Sequence, residues 1–311
     1  MKFKSFFCLS LAALTIAMFS ACNNQSSQTS GESISNANSS KEVSNVSSTT
    51  DESNQGGLSS DGKYANEGEL KLRIFKMGKS DAYLFRTSSK TILIDCGEVD
   101  DSQEILEYFS EKSLNKIDYL ILTHFDKKSI GGAASLVSSL DIGTVYEPDY
   151  TKKNTEYLDF SSALSNKNLT STKVNSDISF DIDGVSVKIS PCQKSYYSED
   201  NNFSLMISVS HGENSFLFVG DAKADRISEI VSMGDIKHDF LMIPDNGTFD
   251  SQIEALINAV SPSAVAITCS EKNPASPEVL QILSSKNINT YLTSNGAIKV
   301  TSDGSEIIYE Q

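Results

Sequence analysis

Short apolar runs and helically spaced segments alternate along residues 67–311. In the first part, the runs predict strands at 70–75, 82–85, 91–95, 117–122 and 145–146. The run at 117–122 is continuously apolar, which is typical of a strand buried on both faces. Apolar residues at helical spacing predict a helix around Ile105 and Phe109, and a second one after Gly131-Gly132.

The second part repeats this order of elements. Apolar runs predict strands at 178–182, 185–190, 203–210, 214–219, 239–243, 264–268, 290–293, 296–301 and 305–309. Helices are expected after Asp221, around Leu256 and around Leu280. Hairpins followed by strand–helix–strand units occur twice along the chain. This order predicts an α/β domain in which two mixed sheets pack together with helices outside.

The N-terminus has the pattern of a secretory signal peptide. Lys2 and Lys4 precede an apolar run that ends at Phe19, and the run is too short for a permanent membrane span. Small residues then lead to Cys22, and the stretch 19–22 resembles a bacterial lipobox. The resemblance implies removal of residues 1–21 and lipidation of Cys22, whereas ordinary secretory cleavage is the alternative.

Residues 22–66 are rich in Ser, Asn, Gly, Thr and Gln and contain almost no large apolar group. Such a segment cannot bury enough surface to offset its ordering entropy, which predicts a disordered tether. With a lipid on Cys22, the domain at 67–311 would be held at the outer face of the bacterial cytoplasmic membrane.

The composition limits the kinds of ligand and metal centre that the chain can accommodate. The chain has 26 Lys and Arg against 41 Asp and Glu, a net charge of −15, and only 3 His. An acidic chain disfavours nonspecific nucleic-acid binding, which needs a basic footprint. A His-rich centre for two metal ions uses about five or six His, more than this chain contains.

Three cysteines fall within residues 67–311: Cys96, Cys192 and Cys269. Their number and wide spacing indicate neither a disulfide framework nor a cysteine metal site. Cys96 and Cys269 end apolar runs, so both are predicted to be buried strand residues.

Three loops that follow predicted strands carry polar, chemically capable residues: LTHFDKKSIGG (122–132), FVGD (218–221) and MIPDNGT (242–248). Together with GKSDA (78–82), ILIDCG (92–97) and DNNFSL (200–205), they resemble the metallo-β-lactamase fold superfamily. The branch that looks most similar is the extracellular hydrolase domain of the DNA-uptake protein ComEC. The resemblance implies a four-layer αββα sandwich and a metal-dependent hydrolase ancestry.

The metal motif of that family, Thr-His-x-His-x-Asp-His-x-Gly-Gly, is only partly present. His124 matches the first His, but Asp126 stands at the second His, Lys128 at the Asp and Ser129 at the third His. Asp221 matches the bridging ligand of the family. The resemblance therefore implies a pocket whose scaffold persists while most ligands have changed.

Two further positions complete this comparison. Asp245-Asn246-Gly247-Thr248 replaces the His-His-Gly-Ser loop of the family, so Asp245 is a candidate ligand or a loop cap. Asp95 matches a family residue that braces the metal loop.

The first interpretation is a noncatalytic, surface-tethered domain without a cofactor. An ammonium group is a donor only and repels a nearby dication, so Lys128 would replace a metal ion beside Asp221. The old cleft would then bind an unknown ligand or an extracellular protein partner. A Lys128 ammonium within about 4 Å of Asp221 would favour this interpretation.

The alternative is a mononuclear hydrolase of the phosphodiesterase or nuclease type, including a DNA-uptake accessory. His124, Asp126 and Asp221 offer one nitrogen and two carboxylates, which suit a single Zn²⁺, Mn²⁺ or Fe²⁺. Convergence of these three side chains on one point would favour it. Nucleic acid is disfavoured by charge, although the family resemblance leaves it open.

Other candidate features carry less weight. Tyrosines beside lysines at 149–153 and 194–197 suggest a stacking ledge for a nucleic acid or a sugar, but exposed loop tyrosines are the expectation at this negative charge. His211 is predicted to lie in a hairpin turn and His238 on the surface.

Overall fold

A computed structural model describes residues 62–311 of the chain. The predicted signal peptide 1–21, Cys22 and most of the tether 22–66 lie outside the described residues. Just before residue 67 the chain already contacts the domain, since the Gly62 carbonyl accepts a hydrogen bond from Arg86 and the Ala65 amide donates to the Thr87 carbonyl. Within 62–311, no helix has both the length and the apolar character that a membrane crossing requires.

The first sheet has eight strands in the order β15-β14-β1-β2-β3-β4-β5-β6. Its strands are β1 (Leu70–Ile74), β2 (Tyr83–Arg86), β3 (Thr91–Ile94), β4 (Lys116–Ile121), β5 (Asp141–Pro148), β6 (Ser171–Val174), β14 (Ile298–Ser302) and β15 (Ile307–Glu310). Strands β3 to β6 run parallel to one another, and the other pairs are antiparallel.

The second sheet has seven strands in the order β13-β12-β11-β10-β9-β8-β7. Its strands are β7 (Ile178–Ile182), β8 (Val185–Ser190), β9 (Met206–His211), β10 (Asn214–Phe218), β11 (Phe240–Met242), β12 (Ala264–Ile267) and β13 (Asn289–Leu292). Strands β10 to β13 are parallel, so their carboxyl ends meet at one edge.

Seven α-helices connect these strands in the described part of the chain. They are α1 (Ser102–Glu111), α2 (Lys127–Ile130), α3 (Ala133–Ser139), α4 (Thr155–Asn166), α5 (Ala224–Ser232), α6 (Ile253–Val260) and α7 (Pro277–Ser285). Two short 3₁₀ turns lie at Asp200–Phe203 and Asp245–Gly247.

Three apolar cores lie between the layers of the domain. The central core lies between the two sheets, where Phe85 packs against Phe218 with ring centroids 5.5 Å apart. A second core joins the first sheet to α1, α3 and α4, and a third joins the second sheet to α5, α6 and α7. The expected αββα sandwich is therefore confirmed, because each sheet buries one face against the other sheet and the opposite face under helices.

The predicted strands and helices correspond closely to those observed, with three omissions. Helices α2 and α4 and strand β6 were not predicted. Strand β6 reads Ser-Thr-Lys-Val, and only Val174 is buried, so the segment shows no apolar run. It is a strand because it pairs with β5 at the end of the sheet.

Several residue-level predictions need correction. Cys96 and Cys269 are buried free thiols, but they lie just beyond the ends of β3 and β12, and Cys192 is a half-buried free thiol. His211 is the last residue of β9 rather than a turn residue, and its Nδ1 bonds the Ser302 hydroxyl. His238 is half-buried, because its imidazole bonds both Ser208 and the Ile236 carbonyl.

Candidate functional site

The candidate site lies where loops from both sheets meet. The loop after β4 carries His124 and Asp126, and helix α2, which follows it, carries Lys128. The loop after β10 carries Asp221, and the 3₁₀ turn after β11 carries Asp245. The ends of parallel strands are the usual position of ligand sites in α/β proteins. Lys128, Asp221 and Asp245 approach one another across this edge.

Two glycines allow the loops to approach closely. Gly220 has φ +54°, and a Cβ there would lie 2.8 Å from the Thr123 hydroxyl oxygen. A Cβ on Gly132 would lie 2.2 Å from the Cys96 carbonyl oxygen. Only glycine therefore fits at either position, and both contacts fix the loop that carries His124 and Lys128.

Lys128 lies at the centre of the site. Its Nζ donates to Asp221 Oδ2 at 2.9 Å and to Asn246 Oδ1 at 2.8 Å, and Asp245 Oδ1 is 3.7 Å away. The Lys128 side chain is 11% exposed and that of Asp221 is 1% exposed. The ammonium group is therefore held inside the pocket by two acidic groups and an amide.

The electrostatics of this pair follow from its burial. Burial alone would raise the pKa of Asp221, but His124 and Lys128 outweigh it and hold that pKa well below its usual range. Burial would lower the pKa of Lys128, but Asp221 and then Asp81 raise it above its usual value. Both groups therefore remain charged at neutral pH.

His124 is connected to Asp95 through Thr123. The Asp95 carboxylate accepts hydrogen bonds from the Thr123 amide at 2.8 Å and from its hydroxyl at 2.6 Å. The same hydroxyl lies 2.9 Å from His124 Nδ1. Asp95 has φ +58°, a strained backbone conformation that asparagine and aspartate tolerate better than other residues. Asp95 thus makes the contacts that a brace of this loop needs.

His124 Nε2 faces Asp221. The two atoms His124 Nε2 and Asp221 Oδ2 are 3.4 Å apart, but within residues 62–311 neither Nε2 nor Asp221 Oδ1 has a hydrogen-bond partner. Burial lowers the pKa of His124, whereas Asp221 outweighs this effect and raises it. The half-buried Asp126 joins these two residues, since one ligand atom from each lies within 4.8 Å of the others.

The remaining predicted residues lie at the edge of the site. Ser129 is fully buried, and its hydroxyl has no hydrogen-bond partner among the described residues. Asp245 lies 3.7 Å from both Lys128 and Lys223, and burial together with Asp221 raises its pKa. Asp245 and Asn246 both have positive φ, so this turn is strained at the site.

The residues present do not fit a centre for two metal ions. The Lys128 ammonium already binds Asp221 and would repel a second ion beside that carboxylate. Ser129 adds only a neutral hydroxyl. His211 and His238 bond other groups, at the end of the second sheet that lies opposite the site. Of the donor groups described, only His124, Asp126 and Asp221 form a set that a single ion would fit.

Three groups that the sequence did not single out complete the site. Asp81 is buried, and it accepts hydrogen bonds from Tyr83 and Thr268 at 2.6 and 2.7 Å. Burial, followed by Asp221, raises the pKa of Asp81 to about 7. The Asn246 amide bonds Lys128, and the Asn201 amide lies 3.4 Å from Asp221 Oδ2. All three lie in segments quoted for the family resemblance, but no pattern in the sequence assigned a role to Asp81, Asn201 or Asn246.

A buried arginine holds the loop that carries Asn201. Arg226 is 0% exposed, and it donates to the carbonyls of Ser190 and Ser204 and to Glu229. Glu229 also accepts from the Tyr197 hydroxyl. This network joins both ends of segment 190–204 to α5.

The tyrosines at 149–153 and 194–197 do not form an exposed stacking surface. Tyr150 is buried, its ring stacks on Phe203 at 4.3 Å, and its hydroxyl accepts from the Phe125 amide. Tyr197 is buried against Glu229, and only Tyr196 is well exposed, at 77%. The two tyrosines are therefore structural, and the expectation that they are exposed was wrong.

The titration of Asp95 gives a pH prediction. Burial raises its pKa from 3.8 to about 8, so between these values the folded protein keeps a proton that the unfolded chain loses. This contribution to stability is complete below pH 3.8 and is lost as pH rises towards 8. We expect Asp95→Asn to flatten the fall in unfolding free energy between pH 5 and 8, as measured by urea denaturation. An unchanged slope would contradict a raised pKa.

Comparisons with known proteins agree with this geometry. The family model of the metallo-beta-lactamase superfamily matches residues 76–262, which is more than half of the chain. A search of curated protein sequences finds no match.

A solved structure supports the same fold, and two others show weaker similarity. The metallo-beta-lactamase fold protein YhfI from Bacillus subtilis is 11% identical, with a TM-score of 0.52, covering 78% of this chain and 100% of its own. CmlA, a diiron beta-hydroxylase from Streptomyces venezuelae, is 13% identical, with a TM-score of 0.47 and coverage of 75% and 54%. A diphosphatase from the PhnP family is 10% identical, with a TM-score of 0.46 and coverage of 75% and 97%. On the family match over residues 76–262 and the two-sheet architecture, this chain belongs to the metallo-beta-lactamase superfamily.

Proposed function

We propose that this protein is a noncatalytic binding domain in which a lysine has replaced the metal centre. The observation that carries the proposal is the position of Lys128, whose Nζ lies 2.9 Å from Asp221 Oδ2 and 2.8 Å from Asn246 Oδ1. The ammonium group supplies to the bridging carboxylate the positive charge that a metal ion supplies elsewhere in the superfamily. The pocket then serves to bind a ligand or a protein partner.

The energetic argument concerns Asp221. A carboxylate that is 1% exposed is very costly unless a cation and hydrogen bonds compensate it. Lys128 provides both, and its raised pKa keeps the ammonium charged. Asp221 therefore has a stable role without any ion, which accounts for its presence beside so many replaced ligands.

The proposal includes the cellular setting and the closer relationship. The lipobox-like stretch before Cys22 supports a lipid anchor at the outer face of a bacterial cytoplasmic membrane. The segments 78–82 and 92–97 support a ComEC-like branch of the superfamily. Partners of the domain are then an extracellular ligand or protein, and the net charge of −15 opposes a nucleic acid.

The metal content of the protein is the first test. We expect mass spectrometry of the purified full chain to find well under one Zn, Mn or Fe per chain, because Lys128 already neutralises Asp221. Replacement of Lys128 by aspartate removes the cation and restores the acidic residue of the family motif. Higher metal uptake in Lys128→Asp than in the wild type is expected. A full equivalent of metal in the wild-type protein would overturn the proposal.

A second candidate function is a hydrolase with a single metal ion. It is favoured by the unpartnered His124 Nε2 and Asp221 Oδ1 and by the approach of Asp126. Saturable uptake of one Mn²⁺ or Zn²⁺, lost in Asp126→Asn, would support it. Metal-stimulated hydrolysis of a model phosphodiester that Asp221→Ala abolishes would establish it.

A further inference from the structure

A separate cavity lies beside the Lys128 centre, at the carboxyl ends of β12 and β13. Its volume is about 400 Å³, which falls within the usual range for small-molecule sites. The lining includes Gly78 from the loop after β1, Cys269 and Ser270 from the loop after β12, and Ser294 from the turn after β13. Three loops therefore form its walls.

The base of this cavity is rigidly held. The Cys269 amide donates to the Thr293 hydroxyl oxygen at 2.9 Å, and that hydroxyl donates to the Cys269 carbonyl at 3.0 Å. Thr293 is fully buried, and the Cys269 thiol lies 3.7 Å from the Ser294 hydroxyl. The two loops are thus fixed to each other, so a ligand would enter a preformed space.

Two lysines and one glutamate line the cavity, whereas the chain as a whole is acidic. Lys76 and Lys272 both line it and are exposed, and neither forms an ion pair with any residue in 62–311. Glu271 is the one acidic residue in the lining. In a chain of net charge −15, two unpaired ammonium groups at one cavity create a local preference for anions.

Asn246 separates the cavity from the Lys128 centre. Its amide nitrogen donates to the Lys79 carbonyl and to the Thr268 hydroxyl, and these residues adjoin Gly78 and Cys269 in the cavity wall. Its amide oxygen accepts from Lys128 on the other side. The lining of the cavity therefore does not include His124, Lys128 or Asp221.

We propose that this cavity binds a small anionic ligand through a carboxylate or phosphate group. The oxygens of the ligand would accept charge-assisted hydrogen bonds from Lys76 and Lys272, and the hydroxyls of Ser270 and Ser294 would supply further donors. Glu271 repels anions, so the two ammonium groups must outweigh its charge.

Isothermal titration calorimetry of the full chain tests this inference. Citrate represents the carboxylate source, pyrophosphate represents the phosphate source, and sorbitol is the uncharged probe. We expect saturable binding of at least one of the two anions, at one site per chain, with a Kd below about 1 mM. The anion that binds more tightly identifies the source.

Two double variants locate the binding. Lys76→Gln/Lys272→Gln is expected to weaken anion binding by about tenfold or more. Lys153→Gln/Lys237→Gln removes two exposed lysines that form no ion pair with described residues, and it should leave the Kd unchanged. Absence of saturable binding by both anions, equal binding of sorbitol, or equal weakening in both variants would overturn the inference. None of these outcomes depends on metal content, which tests the Lys128 centre alone.

Discussion

Lys128→Met should lower the free energy of unfolding by about 3–5 kcal/mol, as measured by urea denaturation at pH 7. Methionine preserves most of the apolar stem of lysine but removes the ammonium group. Asp221, which is 1% exposed, would then retain its charge without the cation that lies 2.9 Å from it. The loss is large because the buried charge would keep only His124 as a compensating partner, and not because the pair itself is strongly stabilising.

The adjacent lysine provides a matched control. Lys127 is 61% exposed, and its Nζ lies 3.6 Å from Glu98, so Lys127→Met should change stability by no more than about 0.5 kcal/mol. The double variant Lys128→Met/Asp221→Asn should recover much of the lost stability, because the carboxylate charge is removed as well. A Lys128→Met protein as stable as Lys127→Met would contradict the central role of the ammonium.

Arg226→Met should cost about 3 kcal/mol or more of unfolding free energy. The guanidinium is 0% exposed, and its removal leaves Glu229 and the carbonyls of Ser190 and Ser204 without their donor. The same change should loosen segment 190–204, because both of its ends bond this one side chain. Faster amide exchange in that segment than in the wild type would show this effect.

Lys194→Met is the control for this second prediction. Lys194 is 51% exposed, and its Nζ lies 3.4 Å from Asp225 and 3.9 Å from Glu229. Solvent screens such a pair, so little stability should be lost. Similar losses in Arg226→Met and Lys194→Met would show that the buried network adds nothing beyond ordinary surface charge.

The sequence predicted the layered fold because apolar spacing reports burial directly. The run at 117–122 became β4, a parallel strand in the middle of its sheet, as continuous hydrophobicity implies. Strand β6 was missed because its pairing with β5, rather than its own side chains, makes it a strand. Register and edge pairing are tertiary effects that a local pattern does not contain.

The site was predictable where a side chain followed a strand end. Lys128, His124 and Asp221 follow strand ends, and the resemblance to the family's metal motif singled out these residues, which the structure brings together. The role of Asn246 was not predictable, because it depends on a turn with positive φ that aims one amide at two loops. The positions of Tyr150 and Tyr197 were mispredicted because their partners, Phe203 and Glu229, are distant in sequence.

The cation in this pocket is the Lys128 ammonium group, which is covalently attached to the chain. A bound ion leaves at a rate set by its affinity, and its occupancy follows the supply outside the protein. An ammonium group on Lys128 has neither property, since it cannot dissociate by dilution or be removed by a chelator. The folded shape of the pocket should therefore persist in surroundings where transition metals are scarce. The positive charge of the pocket is set by the amino-acid sequence and not by the supply of metal ions.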